Sequence, residues 1–209
     1  MLEDGSVYEG TARGDFKETA CEIVFNTSMT GYVEILTDPS YAGQGVVMTY
    51  PMIGNYGISR EDFESERLQP SAFIVHELSS DPSNFRCTDT IENLLKEYNI
   101  PCISGVDTRA VVKKLRESGT MRGVLTSDIG DRERLMDVIK SFRQIDLVGS
   151  VTAKQTKVYG EENTGAEIAL MDFGTKRNII NNLVKRNCIV TVYPSFTSAD
   201  EIIKTSPDG

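Results

Sequence analysis

The sequence predicts an α/β protein in two parts. A β-rich mixed domain is expected over residues 1–150. A linker at 151–165 then leads to the first strand–helix–strand–helix portion of a parallel α/β domain at 166–209. Three observations predict this. Short β-branched and apolar runs punctuated by Gly, Pro, Asn and Asp recur up to Thr126. Apolar residues take helical spacing at 90–98, 107–119 and 131–142. From Glu167 onward, apolar run, helical segment and apolar run alternate, the pattern of a parallel sheet with helical crossovers.

The elements follow in order. Leu2-Glu3, an Asp4-Gly5 turn and Val7 to Gly10 read as a hairpin opening a meander. Cys21 to Asn26 is a strand, and Tyr32 to Leu36 is a short, partly alternating run. Asp38-Pro39-Ser40 is a turn, or a helix start capped by Asp38. Val46 to Tyr50 is an apolar strand ended by Pro51. Arg60 to Arg67 reads as a charged surface element, and Ala72 to Val75 as a buried strand. Ile91, Leu94, Leu95 and Tyr98 give one face of a helix, and Ile100 to Ser104 returns to strand. Asp107 caps a helix with Ala110, Val111 and Leu115 on its apolar face, and Gly119 stops it. Met121 to Thr126 is a strand, and Asp131 to Phe142 a further amphipathic helix.

Residues 149–167 lose periodicity and read as a linker or an edge excursion. Glu167 to Met171 is then a strand, Lys176 to Lys185 a helix with Asn187 as its C-terminal cap, Cys188 to Tyr193 a strand, and Ser198 to Lys204 a capped helix. Both strands are expected to be buried on both faces. Two parallel strands bury too little apolar surface to stand alone. The second unit is therefore expected to be a fragment of something longer rather than a unit leaning on the first.

Composition removes several function classes. The chain is 209 residues long, 39% hydrophobic and carries a net charge of −9. It has no basic block, which argues against nucleic acid and anionic membrane as partners. No stretch approaches the roughly 18 apolar residues of a membrane span, and MLEDGSVYEG has no signal-peptide pattern. Cys21, Cys87, Cys102 and Cys188 are scattered and share the chain with one histidine, His76, so neither a zinc site nor any other metal site is expected. A reduced, cytoplasmic protein with buried thiols fits this usage.

Local motifs supply no complete active site. Asp172-Phe173-Gly174 lacks the glycine-rich loop and catalytic loop of a kinase, and a βα turn explains it. Gly43-Gln44-Gly45 precedes a strand, where a dinucleotide fingerprint must follow one. His76 follows an apolar strand and reads as structural. The segment from Phe25 to Gly57 stands apart, because Glu34 and Asp38 are its only formal charges in a chain that is 25% charged. Its Thr, Ser, Asn, Gly and Tyr suit a surface fitted to another surface or to a small polar ligand, or else a loop-rich stretch of ordinary sheet.

Three segments carry a resemblance. FNTSMTGYVEILTDPSYAGQ followed by TYPMIGNYG (25–57), SGVDTRAVVKKLRESGTMRG (104–123) and MDFGTKRNIINNLVKRNCIVTVYP (171–194) closely resemble the small, glutamine-dependent subunit of carbamoyl-phosphate synthetase, in that family's order and spacing. The resemblance implies that residues 1–150 are its N-terminal β/β/α swivelling domain, which docks on the large synthetase subunit. Residues 166–209 would be an incomplete start of a class I glutamine amidotransferase domain. It implies a heterodimeric, ATP-dependent ligase converting glutamine, bicarbonate and two ATP to carbamoyl phosphate for arginine and pyrimidine biosynthesis. ATP and Mg are expected on the large subunit, with no cofactor in this chain.

Glutamine hydrolysis needs a thiolate, an imidazole base and an acidic orienter. In the family these lie beyond the Pro-Asp-Gly at 207–209, so no catalytic residue is assigned here and the chain is expected to be inactive alone. One glutamine-binding contact carries over, the serine of the DPSY motif, Ser40. Its hydroxyl can bond a polar substrate group without adding charge; otherwise it serves its own turn. The alternative reading is a non-catalytic docking module for the large subunit. An unrelated small-molecule binding domain ranks below both.

Overall fold

The computed structural model describes residues 1–14, 16–143 and 146–209. The protein is α/β and divides into two compact units, residues 1–144 and 145–209. The first runs through β1 (Thr11–Arg13), β2 (Thr19–Asn26), α1 (Tyr32–Thr37), β3 (Gln44–Met48), β4 (Met52–Ile53), β5 (Ala72–Ile74), β6 (Glu77–Leu78), α2 (Ile91–Glu97), β7 (Cys102–Ser104), α3 (Thr108–Ser118), β8 (Met121–Leu125) and α4 (Arg132–Ser141). Short 3-10 turns occur at Pro39–Tyr41 and Arg60–Asp62.

Six strands form one sheet in the order β1-β7-β5-β3-β2-β8. The four central strands are parallel neighbours, and antiparallel β1 and β8 close the edges. Side chains alternate across a strand, so the sheet builds two cores. Val46, Met48 and Phe73 face a cluster with Tyr32, Leu36, Ile91, Leu94 and Leu95 from α1 and α2. Val47, Ala72 and Ile74 face the opposite cluster with Val111, Val112 and Leu115 from α3. Leu135 and Ile139 of α4 pack on Val124 of β8.

Helix ends follow their local chemistry. The Asp107 carboxylate accepts the Ala110 N–H at 2.9 Å to open α3, and Thr90 accepts from Asn93 at 3.2 Å to open α2. Asn99 closes α2 at φ 55; its N–H reaches the Lys96 carbonyl at 3.1 Å while the Ile100 N–H reaches that of Leu95 at 2.9 Å.

Three expectations for this unit change. Residues 7–10 form no strand. The Asp4-Gly5 turn exists, with Gly5 at φ 85 and its N–H on the Leu2 carbonyl at 2.9 Å. The chain then leaves it, because Leu2 pairs with Gly123 and Tyr8 packs onto the α3-side core. The first strand is Thr11–Arg13, paired with Cys102–Ser104. Tyr32 to Leu36 is helical, since Gly31 at φ 82 turns the chain into α1 and burial covers both the alternating and the helical positions of so short a run. Arg60 to Arg67 is only partly a surface element, because Phe63 and Glu64 within it are buried, as is Leu68 just after it.

The second unit contains α5 (Leu147–Val151), β9 (Lys157–Tyr159), β10 (Glu167–Asp172), α6 (Arg177–Val184), β11 (Ile189–Pro194) and α7 (Ala199–Ile203). The sheet order is β10-β11-β9; β10 and β11 are parallel with α6 between them in sequence. Residues 157–159, within the stretch read as a linker or edge excursion, form an edge strand antiparallel to β11. Asn187, at φ 68, ends α6: its N–H bonds the Val184 carbonyl at 2.9 Å and the Cys188 N–H that of Leu183 at 3.2 Å. Ser198 and Glu201 form a capping box on α7. Burial of both strands on both faces is not observed for β10, where only Asp172 is buried. The core here is small, formed by Ile180, Val190 and Val192 with partly buried neighbours. Among the described residues no helix is long and apolar enough to cross a membrane.

Asp172 holds the carboxyl end of this sheet together. One oxygen accepts the Gly174 and Thr175 N–H groups at 3.0 and 2.7 Å, and the other accepts the Ala153 N–H at 2.7 Å. Thr152 donates to the Asp172 carbonyl at 2.6 Å and accepts the Ser195 N–H at 2.8 Å. Replacing Asp172 by Ala is expected to destabilise this unit by about 2 kcal/mol, because a charged acceptor is lost and partly buried donors are left unpaired. Amide exchange of Ala153, Gly174 and Thr175 reads the effect. In the first unit, Arg134 clamps Glu18 through bonds of 2.7 and 2.8 Å, and Thr126 adds a third at 2.8 Å. These bonds hold the Glu18 carboxyl down to about 2. The stability this gives is present above the ordinary carboxylate value and is lost as pH falls towards 2. In Arg134→Met, NMR titration of Glu18 is expected to move up towards the ordinary carboxylate value without reaching it, because the Thr126 bond remains. The pair is solvent-exposed, so its effect on stability at pH 7 is small.

Candidate functional site

The neutral segment from Phe25 to Gly57 folds as the crossover from β2 to β3 and the start of the next one. Tyr32 is buried and stacks on Tyr56, with ring centroids 4.2 Å apart and planes at 19°. The Tyr32 hydroxyl donates to the Gly57 carbonyl at 2.8 Å, and the Tyr56 hydroxyl accepts the Gly31 N–H at 2.6 Å. Each tyrosine thus anchors the backbone beside the other. Burial pushes both phenols above their usual range. Further on, Thr37 donates to the Val33 carbonyl at 2.8 Å and accepts the Glu64 N–H at 2.9 Å, and Asn26 donates to the Tyr41 hydroxyl at 2.8 Å.

These bonds explain the composition. Much of the segment's polarity is spent inside the unit, on crossovers whose backbone must be satisfied near the core. The exposed part is narrower: residues 27–30, Ser40, Pro51, Met52 and Asn55. Reading the whole segment as a fitted surface is therefore too broad.

Ser40 sits on the 3-10 turn at Pro39–Tyr41. Buried Asp38 caps this turn by accepting the Ser40 N–H at 2.9 Å. Proline at the first position fixes φ where no N–H is needed. The Ser40 side chain is exposed, so a rigid backbone offers a hydroxyl, both donor and acceptor, to the outside.

Among the described residues of the first unit, neither a cysteine nor His76 is hydrogen-bonded to Ser40. Cys21 and Cys102 are fully buried, and burial pushes both thiols up to about 12. Cys87 lies 3.4 Å from the Asp89 carbonyl, and Cys188 is half-buried at the end of α6. His76 Nδ1 is 3.1 Å from the Val106 carbonyl. A cavity of about 430 Å³ opens on the α3 side of the first unit, among Leu2, Tyr8, Phe16, Ile74, Ile103 and Val111. Its walls contain neither cysteine nor histidine. No cluster of three His, Cys, Asp or Glu suited to a metal ion occurs among the described residues.

Sequence reasoning missed Glu34. One of its oxygens is buried with no hydrogen-bond partner. Burial, with Asp62 and Glu64 nearby, raises its carboxyl above the ordinary value, and Arg86 opposes this. A group whose folded value is raised costs stability as pH rises through that value. Glu34→Gln is therefore expected to stabilise the chain at pH 8, by at most about 1 kcal/mol after solvent screening. The gain should fade by pH 4, as read by paired thermal melts.

Comparison with known proteins agrees across both units. A family model described as "Carbamoyl-phosphate synthase small chain, CPSase domain" matches residues 1–125. The chain is 47% identical over 209 residues to a carbamoyl phosphate synthase small chain of Clostridium perfringens (strain 13 / Type A), covering 100% of this chain and 59% of the relative. It is 44% identical over 210 residues to one from Listeria monocytogenes serotype 4b (strain F2365), covering 100% and 57%. A third, from Bacillus cereus (strain ATCC 14579), is 46% identical over 209 residues with the same coverage. The chain spans between half and two thirds of the length of these relatives. On its domain match and its identity to these proteins over its whole length, the chain belongs to the carbamoyl-phosphate synthase small chain family.

Proposed function

We propose that this chain is the N-terminal portion of the small subunit of a glutamine-dependent carbamoyl-phosphate synthase. The first unit acts as the β/β/α domain that docks on the large synthetase subunit. The second forms the opening βαβα of a class I glutaminase domain. The observation that carries this reading is the 47% identity, which extends through both units rather than stopping at the matched domain. The parallel β10–α6–β11 arrangement supports the amidotransferase part.

In this reading Ser40 is a binding residue. Its hydroxyl is exposed on a turn fixed by Asp38 and Pro39, and bonds a polar group of glutamine held by the complete subunit. In this reading the nucleophile belongs to the complete subunit and not to this chain. A protonated, buried thiol does not attack an amide, and burial keeps Cys21 and Cys102 protonated. Cys87 and His76 each turn to a backbone carbonyl. The reaction of the whole enzyme, with ATP and Mg on the large subunit, uses this chain for docking and for one substrate contact.

A second reading, a docking module without any part in glutamine chemistry, is favoured by the self-contained first unit, whose sheet is covered on both faces. The isolated 209-residue chain is expected to release no glutamate from glutamine in an enzyme-coupled assay. Turnover that disappears on alkylating one of the four cysteines would overturn the proposal.

A further inference from the structure

Phe85 is 96% exposed, more than any other large apolar side chain among the described residues. The backbone beneath it is nonetheless tightly held. Residues 84–87 form a turn in which the Cys87 N–H donates to the Asn84 carbonyl at 3.0 Å. The Asn84 side chain accepts the Arg86 N–H at 2.8 Å. Before the turn, the Ser83 N–H bonds the Asn55 carbonyl at 2.9 Å. After it, the N–H and hydroxyl of Thr88 both bond the Ile58 carbonyl, at 2.8 and 3.0 Å. Arg86, next to the ring, reaches Asp62 at 2.5 Å and Glu61 and Ser59 at 3.3 Å.

The two legs of the turn are therefore bonded to residues 55–58, and its arginine to residues 59–62. A ring displayed on backbone already fixed by such bonds loses little freedom when a partner covers it. Aromatic side chains in this state serve as binding anchors, because they fill a pocket with a large area and few rotatable bonds. The charge nearby is acidic. Arg86 is engaged by Asp62 and Glu61 and Arg60 by Glu97, while Asp81, shortly before the ring in sequence, is exposed.

We propose that Phe85 anchors this chain to the large synthetase subunit, its ring entering an apolar pocket with a rim of lysine or arginine. This rests on the reading of the chain as a small subunit. Two observations select that occupant. The turn lies within residues 1–125, matched by the family model of the carbamoyl-phosphate synthase small chain. The acidic surround also complements a basic rim, which sets specificity and association rate.

The test measures the affinity of the 209-residue chain for the recombinant large subunit of the same source by surface plasmon resonance, at two salt concentrations. Phe85→Ser is expected to weaken binding roughly tenfold or more, and Phe85→Leu to retain most of it. Both variants should melt with the wild-type chain, since the side chain packs on nothing. Added salt should weaken wild-type binding. Equal affinity of wild type and Phe85→Ser overturns the anchor and leaves the partnership standing. Affinity indifferent to salt overturns the basic rim. A wild-type chain that does not bind at all overturns the docking role proposed for the first unit together with the anchor.

Discussion

Parallel strands cannot be joined by a tight turn. The first unit places β2, β3, β5 and β7 side by side and parallel, so the chain must leave the sheet three times, cross a face and return. Its notable features lie on those excursions. The crossover from β2 to β3 carries α1, the Asp38-capped turn and Ser40. The crossover from β5 to β7 carries the Asn84–Cys87 turn, Phe85 and α2. Strands supply a rigid frame, and the crossings present the polar and aromatic groups at the surface.

That constraint also explains the unusual composition of residues 25–57. A crossover packed against a sheet must satisfy its own backbone without a ladder to do so. Here the Tyr32–Tyr56 pair, Thr37 and Asn26 supply the missing partners. Charged side chains at those positions would be desolvated without compensation. Glu34, a charged residue left among them, has the single buried side-chain oxygen without a hydrogen-bond partner among the described residues.

Much of the fold is legible in the sequence where one physical signal dominates. Helix α3 reads nearly to its ends because an Asp cap, an apolar stripe and a terminal glycine agree. Strands β3 and β5 read from short apolar runs, Val46 to Met48 and Ala72 to Ile74. Legibility fails where tertiary packing decides. Six residues of α1 are too few to separate a period of two from one of 3.6. The pairing of β1 with β7 joins residues about 90 positions apart, which local pattern does not encode. Asp172 reads locally as the end of a βα turn, yet its grip on Ala153 depends on chain 19 residues earlier. At the candidate site, the turn at Ser40 is plain from Asp-Pro-Ser, whereas Phe85 looks in sequence like any core phenylalanine.

The stacked phenols have a practical corollary. The protein has eight tyrosines and no tryptophan, so its ultraviolet signature is wholly phenolic at long wavelength. Tyr32 and Tyr56 are shielded and resist ionisation. While the crossover holds, their phenolate absorbance is expected to develop only above the ordinary tyrosine range. The late-ionising fraction becomes a label-free optical gauge of whether the α1 crossover is intact.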